Sequence, residues 1–418
     1  MGVRTLVTIE AWPEAIPAFL TIHKEDRMAL FVGIDISKDK FDACGIGERG
    51  EKIFSLTAPM DKEGFEKLLV YLKKDSSLLL GLESTACYHI TLLSYLTSKG
   101  YRVVIINPLL ISNFVKLQLR KTKTDKKDAL TIARFLMLRQ ESFSAQVFSS
   151  DLMELRDLAR RQERLTDQVT RIKGNMKRIL SVTFPELEHI TGVFTKSILQ
   201  LLTQYPSAEA LRKAEVDTIA ALIIPRSWGR KSRAFVETLM ATAAPSVGVS
   251  SLAKELILKQ EASLLLYVEE QIKETTKLLM SLCNDQMKRD IEILASIKGI
   301  GESSAMNFMI EMGGDIALFK SDKKLIAAAG LDPSTYQSGK YEGTGRISKR
   351  GNRHLRRIIW LMAKTTIFTN DLFRSYFYKR RREGLPYKMA VMATAHKLIR
   401  VMFSMLVHQR YFEEAGMK

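Results

Sequence analysis

Two short apolar runs, LFVGID ending at Asp35 and LLLGLE ending at Glu83, each close on a single acid. Runs of that length and composition, bounded by polar turns, are buried strands. A carboxylate at the end of a buried strand is costly unless a cation compensates it. The chain around these acids is strongly basic, with 64 Lys and Arg against 46 Asp and Glu, a net charge of +18. Two further acids, Asp125 and Asp128 in KTDKKDALTIARFL, lie three apart and so share one face of a helix. Acids set into basic surroundings point to metal-dependent chemistry on a polyanion, because a positive surplus of this size suits phosphate neutralisation and counterion release.

The 418 residues suffice for two or three domains, and 46% hydrophobic content supports real cores rather than disorder. Cys44, Cys87 and Cys283 fit neither a zinc pattern nor a disulfide framework, and the six histidines do not pair at helical metal spacing. Cysteine usage suits a reducing cytoplasm. No apolar run of membrane-spanning length is expected, so no membrane partner is expected. Residues 1–27 lack a signal-peptide pattern, and Met28 opens MALFVGIDISKDKFD in the manner of a natural start, so 1–27 reads as a non-native or disordered extension.

From Leu30 the order is three strands (LFVGIDI, FDACGIG, KIFSLTA), a helix (KEGFEKLLVYLKK), the strand SLLLGLE, a helix stopped by Gly100, the strand YRVVIINP, and helices over about 108–118 and 125–140. This is the order of an α/β RNase H-like fold, expected over 28–150, with catalytic acids from the first strand, the fourth strand and a late helix. Residues 151–285 read as a helical stalk. Leu155, Leu158, Gln162, Leu165, Val169, Ile172, Met176 and Ile179 step by three and four, and a second such helix covers about 252–282. The stripe serves packing within the chain or between chains. A helical insert lies between, broken at Pro206, Pro225 and Gly229. The mainly α C-terminal part, 286–418, opens with IEILASIKGIGESSAMNFMIEMGG, a helix-hairpin-helix pattern in which the turn at Gly299 and Gly301 offers backbone N–H groups to a phosphate. Then Lys340 to Arg357 holds seven Lys or Arg and one Glu. Lys340, Arg346, Lys349, Arg350, Arg353, Arg356 and Arg357 are the expected nucleic-acid contacts there.

The chemistry follows from residue type. An all-carboxylate set, Asp35, Glu83, Asp125 and Asp128, suits Mg²⁺ or Mn²⁺ rather than zinc, and two such ions serve phosphoryl transfer. Lys123, Lys126 and Lys127 flank the pair and can steer phosphate. Ser338, followed by glycine in a loop before the basic segment, is a candidate nucleophile if activated, with Ser334 and Ser348 as competitors. A turn-forming role is the ordinary one for such serines. No nucleotide-binding GxxxxGK[ST] is present.

GIDISKDKFD, GLESTACYH, KTDKKDALTIARFL, IKGIGESSA, AAAGLDPSTYQSGK and GRISKRGNRHLRRIIW follow one another as in the DEDD-type insertion-sequence transposases, related to the pilin-inverting recombinases. The resemblance runs from about Ala29 to His408. It implies a RuvC-like N-terminal domain, a coiled-coil linker and a C-terminal transposase domain. Asp35, Glu83, Asp125 and Asp128 match the family's acids, and Ser338 matches its nucleophilic serine. It further implies a homo-oligomer (dimer or tetramer) acting on donor and target DNA, in many members guided by a structured RNA, in the nucleoid of a bacterium or archaeon. Two other readings use the same residues: a Holliday-junction endonuclease that attacks with water, and a non-enzymatic nucleic-acid-binding protein.

Overall fold

The computed structural model describes residues 30–72, 78–83, 88–106, 108–117, 125–139, 150–334, 337–338, 341–342 and 346–413. The expected N-terminal extension at 1–27 lies outside them. The chain divides into two compact units, Met1–Ser150 and Asp151–Lys418.

In the first unit, β1 (Phe31–Ile36), β2 (Lys40–Ile46) and β3 (Lys52–Pro59) form an antiparallel meander. After α1 (Lys62–Tyr71), β4 (Leu79–Glu83) returns parallel to β1. Following α2 (His89–Ser98), β5 (Val103–Ile106) lies parallel to β4, giving the order β3-β2-β1-β4-β5. The chain then adds α3 (Pro108–Leu117) and α4 (Asp125–Arg139). Strand alternation sorts the side chains onto two faces. Phe41 meets Phe65 of α1, which in turn meets Tyr95 of α2, on one face. On the other, Phe31, Ile46, Leu79, Val104 and Ile106 pack against Ile111 of α3 and Ile132, Ala133 and Leu136 of α4. A sheet buried on both faces explains why β1 and β4 read as continuous apolar runs.

The second unit is helical apart from four short strands. The 34-residue α5 (Ser150–Thr183) precedes five short insert helices: α6 (Leu187–Ile190), α7 (Lys196–Leu202), α8 (Ala208–Arg212), α9 (Val216–Ile223) and α10 (Arg233–Ala243). The 31-residue α11 (Leu252–Leu282) then returns. Gln162 of α5 bonds Thr276, Lys173 pairs with Glu269, and Asn175 bonds Glu261, so α5 and α11 are antiparallel. The apolar stripe of α5 is used inside the chain: Leu165, Ile172, Met176 and Ile179 join Leu258, Ala262, Leu265 and Val268 of α11 and the insert in one core.

The C-terminal core comprises α12 (Asp285–Ala295), α13 (Glu302–Met312), α14 (Asp322–Ala328), β6 (Pro333–Ser334), β7 (Gln337–Ser338), β8 (Tyr341–Glu342), β9 (Arg346–Ile347), α15 (Arg353–Thr369), α16 (Asp371–Arg382) and α17 (Tyr387–His408). The expectation that no stretch has spanning length needs correction. By length and composition α17 is long and apolar enough to cross a membrane, but 56% of its most apolar window is buried inside this protein. Its Val391, Leu398, Ile399 and Met402 fill the C-terminal core.

Gly33 of β1 allows α4 to touch the sheet, since a Cβ there would lie 2.2 Å from the Ala129 carbonyl oxygen. Gly33→Ala is therefore expected to lift α4 and destabilise the first unit by about 3 kcal/mol. Urea unfolding of the full chain, with hydrogen exchange along α4, measures it; unchanged protection of α4 would refute the contact's importance.

Candidate acidic centre and basic hairpin

Gly33 and Gly81 are ladder partners on β1 and β4, and both face α4. Besides the Ala129 contact, a Cβ on Gly33 would lie 2.4 Å from the Ala133 amide nitrogen, and one on Gly81 would lie 2.7 Å from Leu136 Cδ1. Asp35 and Glu83 each follow their glycine by two residues, so both emerge on the face that α4 covers. Met137, late in α4, sits against Gly50 in the turn between β2 and β3, beside the end of the sheet where Phe31 of β1 pairs with Ile46. The helix consequently runs antiparallel to β1. Its first turn, which carries Asp125 and Asp128, lies toward the end where β1 and β4 finish. Asp35, Glu83 and Asp128 are all partly buried. Asp125 opens the helix, and its side chain lies outside the described residues, as do those of Lys126 and Lys127 and the whole of Lys123.

A fifth acid stands here that motif reading passed over. Asp42 of β2 pairs directly with Asp35 in the antiparallel ladder and points to the same face. It is 4% exposed, accepts a hydrogen bond from Thr57 Oγ1 at 2.5 Å and has Lys40 Nζ at 3.7 Å. Like charges directly opposite each other destabilise a sheet, and these donors offset the repulsion. The signal was available: the short turn SKDK forces β2 to return against β1 and sets Asp42 beside Asp35.

The donors on this face are carboxylate oxygens, the chemistry of a hard divalent cation rather than zinc. Among the described residues no three of His, Cys, Asp and Glu are drawn close enough to hold an ion, and the side chain of Asp125, an expected ligand, is not among them. The thiols of Cys44 and Cys283 are buried and pushed up by that burial, as befits core residues.

In the second unit, Ser338 sits on a hairpin excursion. Pro333 pairs with Ile347 and Ser334 with Arg346, and farther out Gln337 pairs with Glu342 and Ser338 with Tyr341. The base is pinched by glycine: a Cβ on Gly351 would lie 2.1 Å from the Ala328 carbonyl oxygen, and the Lys349 amide donates to the Gly330 carbonyl. Ser348 Oγ donates to Asp332 Oδ1 at 2.5 Å, which fixes this competing serine in the base of the hairpin. Lys340 and the side chains of Ser338 and Arg346 lie outside the described residues.

The arginines divide by role. Arg357 Nη1 donates to Glu163 Oε1 at 2.5 Å and both its terminal nitrogens bond Asp167, while His354 Nδ1 lies 2.5 Å from the other Glu163 oxygen. The Arg357 guanidinium holds the Asp167 carboxyl below its ordinary range. Arg356 Nη1 donates to the Ala329 carbonyl at 2.9 Å. Lys349, Arg350 and Arg353 are exposed. Beneath them, Arg160 makes a two-point pair with the buried Glu311, which Asn352 also bonds. Burial pushes the Glu311 carboxyl up, but these hydrogen bonds outweigh it and leave the group below its usual value.

Gly299 and Gly301 differ as well. With φ +104°, Gly299 leaves no room for a side chain, since a Cβ would meet Thr369 Oγ1 at 2.1 Å. Gly301 caps α13 and has open space around it.

Two family profiles match the chain: one described as Transposase, of the DEDD IS110 type, over residues 32–185, and one described as Transposase IS116/IS110/IS902 family over 291–378. The chain is 24% identical to the insertion element IS116 uncharacterized 44.8 kDa protein of Streptomyces clavuligerus, over 94% of this chain and 98% of that protein. It is 24% identical to the insertion element IS900 uncharacterized 42 kDa protein of Mycobacterium paratuberculosis, over 90% and 95%. The pilin gene-inverting protein of Moraxella bovis is 23% identical over 92% and 98%.

Arg353→Gln is expected to weaken DNA binding and reduce the salt slope of the association constant by about one, whereas Arg357→Met should leave the slope alone and cost about 1 kcal/mol of stability. Salt titrations and thermal unfolding of both variants test the division, and equal slope changes would refute it. Arg160→Met should cost about 3 kcal/mol by stranding Glu311. Because the folded-state value of Glu311 is depressed, its contribution is present above the ordinary carboxylate range and lost as pH falls through the depressed value. Unfolding measured between neutral and acid pH should show the wild-type advantage over Arg160→Met shrinking on acidification.

Proposed function

The chain belongs to the IS110/IS116/IS902 family of transposases, and on that premise we propose that it cuts and rejoins DNA as a site-specific recombinase with a metal-dependent acidic centre and a serine nucleophile. The observation that carries this reading is the shared face of Asp35, Glu83 and the first turn of α4, created by α4 resting on Gly33 and Gly81. The strand order β3-β2-β1-β4-β5, with a helix laid across β1, supports an RNase H-like, RuvC-like assignment.

Asp35, Glu83, Asp125 and Asp128 would hold Mg²⁺ or Mn²⁺, which supplies charge neutralisation for a phosphate whose oxygens become more negative during transfer. Asp42, braced by Thr57 of β3, adds a fifth carboxylate beside Asp35. Ser338 attacks the scissile phosphorus through Oγ: the hydroxyl proton is lost, an Oγ–P bond forms, and the P–O bond to the departing strand breaks, that strand leaving as a hydroxyl. Attack by a hydroxyl of a new partner strand reverses the exchange and frees the serine. Each bond made replaces one broken, so no nucleotide hydrolysis is required. Lys349, Arg350 and Arg353 bind phosphates beside the hairpin, and the α12–α13 turn with open Gly301 offers backbone N–H groups as a helix-hairpin-helix does. The family resemblance suggests a homo-oligomer in which one subunit's acids work with another's serine. The family resemblance further suggests a structured RNA that selects donor and target DNA.

Asp35→Asn and Ser338→Ala should each reduce recombination of a plasmid substrate by about a hundredfold or more, and Ser338→Ala should abolish a covalent protein–DNA adduct on a denaturing gel. Strand cleavage that persists in Ser338→Ala would identify water as the nucleophile. Undiminished recombination in Asp35→Asn would remove the acidic centre from the chemistry. Chelation should stop cleavage, and Mg²⁺ or Mn²⁺ should restore it.

A further inference from the structure

The helical insert carries, between α9 and α10, a turn that neither family profile covers, since the matched segments stop at 185 and resume at 291. After α9 the chain makes a single 3-10 turn over Pro225–Ser227 and then places Trp228 at φ 55°, ψ 42°. Left-handed backbone is an outlier for so bulky a residue. Gly229 follows at φ +74° with nothing within 4 Å of where its Cβ would be. Together they project an indole that is 87% exposed. The turn is braced. Ser227 is buried, its Oγ donates to the Ile224 carbonyl at 2.8 Å and accepts from the Lys231 amide at 3.1 Å, and the Arg230 amide donates to the Ser227 carbonyl at 3.1 Å.

The charge around the ring is one-sided. PRSWGRKSR, residues 225–233, has four Lys or Arg and no acid. Arg233 is taken by Asp217 and Glu237, and Lys231 Nζ donates to Thr191 Oγ1 at 2.8 Å. Arg226 and Arg230 are exposed and lie two residues before and after Trp228, without an ion pair among the described residues, and Arg226 Nη1 donates to the Leu222 carbonyl at 3.0 Å. A protein-docking anchor would normally sit within an apolar patch. An exposed flat ring with an exposed arginine two residues away on each side in sequence, held by a braced turn, has the components of a single-strand nucleic-acid contact: a π-face for a base and cations for the phosphates beside it.

We propose that Trp228 stacks on an unpaired base of the DNA substrate, with Arg226 and Arg230 on the flanking phosphates. The proposal rests on DNA being the partner of this transposase and is independent of the acids and of Ser338. Strand exchange exposes unpaired bases, and this turn would hold one.

The test uses the full chain with a single-stranded DNA, the corresponding duplex and an RNA of the same sequence. Single-stranded DNA should quench tryptophan emission, and Trp228→Phe should remove that quench while keeping most of the affinity. Trp228→Ala should weaken single-strand binding about tenfold, by loss of one stacked base, and leave duplex binding unchanged. Unaltered thermal unfolding confirms that the exposed substitution leaves the protein folded. Equal losses on single strand and duplex, a loss confined to RNA, or no loss would each overturn the proposal. Ser338→Ala and Asp35→Asn should keep the quench, so failure of the catalytic reading and failure of this one are separable.

Discussion

The backbone of α4 lies directly on Gly33 of β1, and the acidic centre depends on that contact. Any side chain at Gly33 would enter the space of the Ala129 carbonyl and the Ala133 amide. Glycine lets the helix down onto the sheet, and the next same-face residue along β1 is Asp35. The same spacing repeats on β4 with Gly81 and Glu83. A helix seated higher would hold its own acids farther from Asp35 and Glu83. Seated here, its N-terminal turn approaches the strand ends, where the helix dipole favours ionised carboxylates. Asp42, opposite Asp35, shows the cost of concentrating acids, and its hydrogen bond from Thr57 shows how that cost is met.

The second unit handles charge by pairing. Along α5, Gln162 reaches both Thr276 of α11 and Asn307 of α13. Arg160 meets the buried Glu311, and Glu163 and Asp167 grip Arg357. These contacts clamp the start of α15, and with it the base of the Ser338 hairpin, to the longest helix. Part of the arginine-rich segment is therefore scaffold. Among the described residues of this segment, Lys349, Arg350 and Arg353 are the exposed charges that make no ion pair.

Much of this was legible in residue order. Strands and helices of the first unit fall where period and turn residues put them, and the stepping of apolar residues marked both long helices. The partner of that stepping was not legible, because a stripe of Leu, Ile and Met looks alike whether it meets its own chain or another. Antiparallel α11 and the insert core occupy it. Asp42 was hidden by its lack of a distinguishing motif, although the short turn before β2 sets the register that pairs it with Asp35. Of the arginines in RGNRHLRRIIW, sequence gives charge alone. The partners of Arg357, Glu163 and Asp167, lie about 190 residues away in the chain.

Sequence by itself determined the strand and helix order, the excess positive charge, the acids at strand ends and the membership of a transposase family, because these follow from local periodicity, composition and ordered motifs. Tertiary structure decided which face the acids share, which cations are spent on internal pairs and where an exposed tryptophan is aimed. Those outcomes turn on close approach of distant segments, a glycine against a helix backbone or an arginine against two carboxylates, and such contacts exist only once the chain has packed.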